Sequence, residues 1–135
     1  MIKLDRNVFV VSLAFIIIAV ILGALGAHAL AKHLTPQKLA SFETGVRYQL
    51  FHGIGLIALI AISNKFSFSL KSVYLFLIFG VIFFSFSIYL LSIQELLNIK
   101  LGFIVGPITP IGGLLMIIGW SILLVKILSN KTDNN

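Results

Sequence analysis

Two histidines stand inside apolar runs. His28 comes just before Lys32 at the end of the first run, and His52 lies in the run that follows Arg47. An ionisable or strongly polar side chain at membrane depth is costly, so each is a functional candidate. Gln49, Ser85, Ser87 and Tyr89 join them, all toward one end of their runs. Three kinds of chemistry are open to such a cluster. Two histidines on neighbouring helices could ligate a haem or a metal. They could serve a path for protons or a small polar solute. Or each neutral imidazole could donate to a carbonyl or serine and lock two helices together. Two histidines with no further ligand give a weak metal signal, so locking is the expectation and no cofactor or metal is expected.

Glu43 and Arg47 are four residues apart, the helical spacing of an ion pair. Near the headgroups such a pair anchors the interface, with Arg47 reaching outward; holding an anionic lipid or solute is the alternative. The stretch GPITPIGG (106–113) carries Gly106, Pro107, Thr109, Pro110, Gly112 and Gly113. Prolines leave carbonyls without donors, and glycines let backbone approach backbone. Broken backbone at membrane depth must be buried in protein or line a wet cavity. Thr109 is expected to cap a helix with Pro110 at its first position, residues 106–108 being non-helical. The glycines are expected against Gly26, Ala27, Gly45 and Gln49, with Gln49 and His28 satisfying the freed carbonyls. The stretch is no phosphate loop, because no Lys-Ser/Thr follows it. Asp5 and Asp133 lie at the termini, far from both histidines, so no nucleophile–base–acid set forms. The chain is not expected to be an enzyme.

These residues must be positioned by membrane helices. Of 135 residues, 59% are hydrophobic and 10% charged, with no cysteine. A soluble domain runs near 45–50% apolar and about 25% charged. The apolar residues would fill about four spans of ~20 residues each. Expected spans are residues 8–31, 45–63, 73–93 and 109–128. Thr35-Pro36 opens a short interfacial helix before the second. Residues 96–108 are either a non-regular connection or part of a longer, proline-kinked helix from Gly102. Lys3 and Arg6 before the first run also suit a signal peptide, but that run of about 20 residues exceeds a signal core, so it is expected to stay as a span. The net charge is +6. Its lysines and arginines flank apolar runs singly or in pairs, the pattern of headgroup contact and not of a nucleic-acid footprint. Six of them (Lys3, Arg6, Lys65, Lys71, Lys126, Lys131) share a side with both termini and four (Lys32, Lys38, Arg47, Lys100) take the other, which predicts cytoplasmic termini.

GALGAHAL (23–30), FETGVRYQLFHG (42–53), FSFSIYLL (84–91) and GPITPIGGLLMIIGW (106–120) together resemble one family. It is the small four-helix membrane family labelled domain of unknown function four-two-three, whose eukaryotic relatives are called transmembrane protein 256. The resemblance covers roughly residues 8–126. It implies an integral protein of the bacterial inner or cell membrane and supplies no activity and no catalytic residues. One departure is Phe86, where the family's third span typically has a glycine.

The expected architecture is all-α: one domain, a four-transmembrane-helix bundle with a Pro/Gly break before the fourth span. The expected role is a structural or partner-binding membrane component, in contact with the lipid bilayer and with a possible homo-oligomer or membrane-protein partner. The competing role is a transporter or channel-like protein for protons or a small polar solute, and behind it a haem-binding bundle.

Overall fold

Backbone polar groups in lipid have no water to bond, so apolar runs of this length must satisfy themselves as helices. The computed structural model describes residues 3–130, and its regular elements are helical throughout. They are α1 (Lys3–His28), α2 (Pro36–Ala61), α3 (Lys71–Val81), α4 (Ser87–Ile93), α5 (Gly102–Val105) and α6 (Ile108–Asn130). A π turn, Ile82–Phe86, joins α3 to α4. Lys131 and Asp133, which entered the charge and acid readings, lie outside the described residues.

Three helical stretches are long and apolar enough to cross a membrane: Lys3–Lys32, Lys71–Ile93 and Gly102–Asn130. The fourth long helix, α2, has 26 residues, about 39 Å at 1.5 Å per residue. It is not among the three; it carries Lys38, Glu43, Arg47, Gln49 and His52. The expected interfacial helix is not a separate element: residues 36–44 are the first turns of α2. Thr35 does cap that helix. Its backbone is extended (φ −64°, ψ 153°), its Oγ1 accepts from the Lys38 amide at 3.3 Å, and Pro36 follows in the first turn.

Helices α1 and α2 run antiparallel with a register set by small residues. Gly26 lies under the Phe42 ring, Gly23 faces Val46, and Gly53 rests against Ser12 and Ile16. The buried face of α1 is Val8, Ser12, Phe15, Ala19 and Gly26. Ala27, expected beside the glycines of the break, is exposed.

Helix α6 packs on α3 by backbone approach. A Cβ on Gly112 would sit 2.8 Å from the Gly80 carbonyl oxygen and overlap the Phe84 amide nitrogen. A Cβ on Gly80 would meet Met116 Cγ at 2.6 Å. Small residues that let backbones touch are how helices associate where lipid is as apolar as the core. The core lies toward the end of the bundle that holds Lys3 and Asn130, around Val8, Phe15, Leu56, Val73, Leu77 and Met116.

That end is closed by polar ties. Ser63 Oγ donates to Asp5 Oδ2 at 3.2 Å, Lys126 Nζ to the Ser69 carbonyl at 2.6 Å, and Asn130 Nδ2 to Ser67 Oγ at 2.6 Å. At the opposite end Lys38 pairs with Glu95. Gln94 Oε1 accepts from the Leu101 amide at 2.9 Å, and Asn98 takes the left-handed conformation (φ 54°) that turns the chain.

The break before α6 departs from a wholly non-regular connection and matches the reading of a longer, kinked helix from Gly102, the stretch Gly102–Asn130 being interrupted at Gly106-Pro107. Residues 95–100 are exposed, α5 is a single short turn whose Phe103 is 96% exposed, and the chain bends at Gly106-Pro107. Helix α6 then begins at Ile108, so residue 108 is helical, Thr109 is not its cap and Pro110 is not its first residue. Pro110 is tolerated because first-turn amides have no partner inside the helix. Thr109 uses its hydroxyl elsewhere.

Candidate functional site

A polar network is buried where α1, α2 and the π turn–α4 segment meet. Gln49 has no exposed surface. Its Nε2 donates to the Phe15 carbonyl of α1 at 2.9 Å. Its Oε1 accepts from the Tyr89 hydroxyl of α4 at 2.8 Å. One amide therefore ties three helices. A second tie lies beside it: Ser85 Oγ, in the π turn, donates to the Gly45 carbonyl at 2.8 Å. Gly45 is required there, since a Cβ would lie 2.8 Å from Tyr89 Cε1. The Tyr89 ring packs on Phe42 with centroids 5.0 Å apart. Interhelical bonds of this kind contribute about 0.6 kcal/mol each, at most ~1.7.

The remaining candidates sort away from this network. Ser87 Oγ donates to the Phe84 carbonyl at 2.9 Å and lies 2.6 Å from Thr109 Oγ1. With the serine proton on Phe84, Thr109 is the donor to Ser87. A π turn disturbs the regular carbonyl ladder, and Ser87 bonds the Phe84 carbonyl there. Gly112 is buried against this turn, and Gly106 and Gly113 are half-buried. The expected neighbours of these glycines are therefore corrected: Gly112 meets Gly80 and Phe84, not Gly26, Ala27, Gly45 or Gln49. Gln49 serves Phe15 and Tyr89, and His28 is at no break.

The two histidines do not converge. His28 is exposed at the end of α1. His52 lies beside Ile16, because the α1–α2 register places Gly53 there, and that is about 18 Å further along α1 at 1.5 Å per residue. The sequence reading placed both histidines toward one end of their runs because it counted the second span from Gly45, whereas α2 starts nine residues earlier at Pro36. Shared haem or metal ligation by this pair is ruled out by that separation. His52 is instead fixed by two partners: Nδ1 is 2.8 Å from the Tyr48 carbonyl, and Trp120 Nε1 donates to Nε2 at 3.2 Å. A carbonyl only accepts and an indole only donates, so the ring is neutral with its proton on Nδ1. His52 thus joins α2 to α6 as an acceptor from Trp120, its own N–H going to a carbonyl of its own helix.

Glu43 and Arg47 form no ion pair. Arg47 donates to Thr44 Oγ1 at 3.0 Å, and the ion pair at this end is Lys38–Glu95. The i to i+4 spacing permits a pair but does not compel one when a hydroxyl lies one residue nearer. Phe86 points outward and meets the Tyr89 ring edge-on at 5.8 Å, so it fills no tight helix contact. Sequence reading missed the Phe15 carbonyl, Tyr48 and Trp120. The single tryptophan, on a lipid-facing helix with a histidine elsewhere, was the only available signal.

Residues 22–113 match the family described as Protein of unknown function (DUF423). The UPF0382 membrane protein SSP2132 of Staphylococcus saprophyticus is 41% identical over 76% of this chain and 81% of its own length. The UPF0382 membrane protein YwdK of Bacillus subtilis is 34% identical over 81% and 85%. The UPF0382 inner membrane protein YgdD of Escherichia coli is 32% identical over 87% and 85%. No solved structure matches. The described chain is helical, with three stretches fit to cross a membrane, and its relatives are named as membrane proteins from both staphylococci and enterobacteria. The chain belongs to this DUF423 membrane family, for which no activity is established.

Proposed function

We propose that the protein is a non-enzymatic structural or partner-binding component of the bacterial cell membrane. In this reading all four long helices span, and both termini are cytoplasmic. Helix α2 qualifies as the fourth span because its deepest polar groups are already bonded. Gln49 is tied to Phe15 and Tyr89, and His52 to Tyr48 and Trp120. Paired in this way, they cost little in lipid. The ring Val10, Ile17, Phe51, Ile54, Ile117 and Leu124 is exposed and offers apolar contact to lipid or to another protein.

The observation that carries the role is how the buried Gln49–Tyr89 network is used. Its polar atoms bond carbonyls and side chains of neighbouring helices. Below it the core is Leu56, Val73, Leu77, Val81 and Met116. A transporter needs a continuous polar path, and packed aliphatic side chains offer none. The test is reconstitution into liposomes holding a pH-sensitive dye. Proton leak should equal that of protein-free liposomes; a leak abolished by Gln49→Leu would replace this reading with a conductance.

A further inference from the structure

Glu43 and Arg47 are both exposed, and neither has an ion pair with any described residue. They stand on the side of α2 that points away from the bundle. The buried stripe of α2 is Phe42, Gly45, Gln49, Gly53, Leu56 and Leu59. Opposite it, Ala40, Arg47, Phe51, Ile54, Ala58 and Ala61 are all exposed. Depth makes the two charges matter. Gly23 of α1 faces Val46, so Arg47 lies about 26 Å from the level of Arg6 at 1.5 Å per residue. A hydrocarbon core is about 30 Å thick, so the Arg47 backbone is inside it when Arg6 marks its edge. Residues 7–27 of α1 and 108–125 of α6 carry no charge. An unpaired charge at that depth is costly, and lipid tails satisfy none.

We propose that this face of α2 binds a second copy of the chain in a parallel, two-fold dimer. Successive residues on a helix point about 100° apart, so Glu43 and Thr44 stand at nearly one height on opposite flanks of the exposed stripe. The Arg47 guanidinium reaches back to Thr44, whose Oγ1 it bonds at 3.0 Å, and so sits on the flank away from Glu43. A two-fold axis along the membrane normal lays each flank against the opposite flank of the other copy. Each Arg47 then meets Glu43 of the other copy at its own height. Two groups left unpaired in one copy become two reciprocal ion pairs, with the charge-assisted hydrogen bonds that guanidinium and carboxylate form. Ala40, Ala58 and Ala61 leave the backbones room to approach, as helix pairs in lipid require. The proposal names the partner within the partner-binding reading above and rests on α2 being a span.

The test uses the full chain, which has no cysteine. Ile54→Cys and Ala58→Cys are oxidised with copper phenanthroline in native membranes, with Leu114→Cys on the exposed face of α6 as the control. The two α2 variants should form disulfide-linked dimers and the α6 variant should not. In the Ala58→Cys background, Glu43→Arg or Arg47→Glu should lower the dimer fraction about tenfold, because each sets like charges together. Combining the two reversals should restore it. Trp120 emission should stay as in wild type in every variant, which separates lost pairing from lost folding. Dimers formed equally from Leu114→Cys, single reversals without effect, or a double reversal no better than the single ones overturn the proposal, as does cross-linking to a protein of another mass. Absence of every cross-link overturns it too and leaves standing the non-conducting structural role, which the liposome leak tests separately.

Discussion

The Tyr89 hydroxyl donates to Gln49 Oε1 at 2.8 Å while the Gln49 amide nitrogen donates to the Phe15 carbonyl at 2.9 Å, so two side chains hold three helices in one register. Gly45 makes the arrangement possible by leaving room for the Tyr89 ring. Ser85 then bonds the carbonyl of that same glycine. Helix α2 is thereby tied to its neighbours on both sides at one level.

Gly112 should be intolerant of any side chain. Its Cβ would overlap the Phe84 amide, and that neighbour is backbone and cannot rotate away. Gly112→Leu should cost about 3 kcal/mol or more, at the upper end of overpacking penalties. Gly113→Ala places its Cβ at 3.7 Å from Phe84, an ordinary contact, and should be nearly neutral. Ile117→Leu, on an exposed face, should also be silent. Melting temperatures in detergent check all three; equal loss for Gly112→Leu and Gly113→Ala would contradict the α3–α6 approach.

His52 and Trp120 make a prediction readable from fluorescence, because the chain has one tryptophan. His52→Leu removes the acceptor of the indole N–H, so emission should move to shorter wavelength, with a stability loss of about 0.6 kcal/mol. The purified wild type should show no Soret band. An unchanged emission spectrum would mean the two rings are not bonded.

Much of the helical layout was legible in the chain, since long apolar runs ended by lysines and prolines leave few alternatives. Thr35-Pro36 marked the start of α2 because its capping chemistry is local. The site was less legible, because it depends on register. Starting the second span at Gly45 instead of Pro36 put His52 level with His28 and hid its pairing with Trp120. The π turn at Ile82–Phe86 left no composition signal; it shows only in how Gly112 meets the backbone there. Thr109-Pro110 misled for a related reason. Its capping pattern is genuine, but the hydroxyl is used across the helix interface by Ser87.

Orientation rests on charge. Lys3, Arg6, Lys65, Lys71, Lys126 and Lys131 outnumber the four basic residues of the opposite side. Cytoplasmic termini are the proposal that this excess supports. A reporter active only outside the cytoplasm, fused after Asn135, should be silent, and the same reporter inserted at Asn98 should be active. The reverse pattern would mean either an inverted bundle or an α2 that does not span. Activity at both positions would mean that α6 does not cross between them.

The account's central claim is that the buried polar groups hold helices together, and a double-mutant cycle on Gln49 and Tyr89 tests it most directly. Unfolding free energies are measured in mixed micelles for wild type, Gln49→Leu, Tyr89→Phe and the double variant. Each single change should destabilise, and the coupling between them should fall near 0.6 kcal/mol and no higher than about 1.7 kcal/mol. Additive losses with no coupling, or single variants as stable as wild type, would contradict the claim.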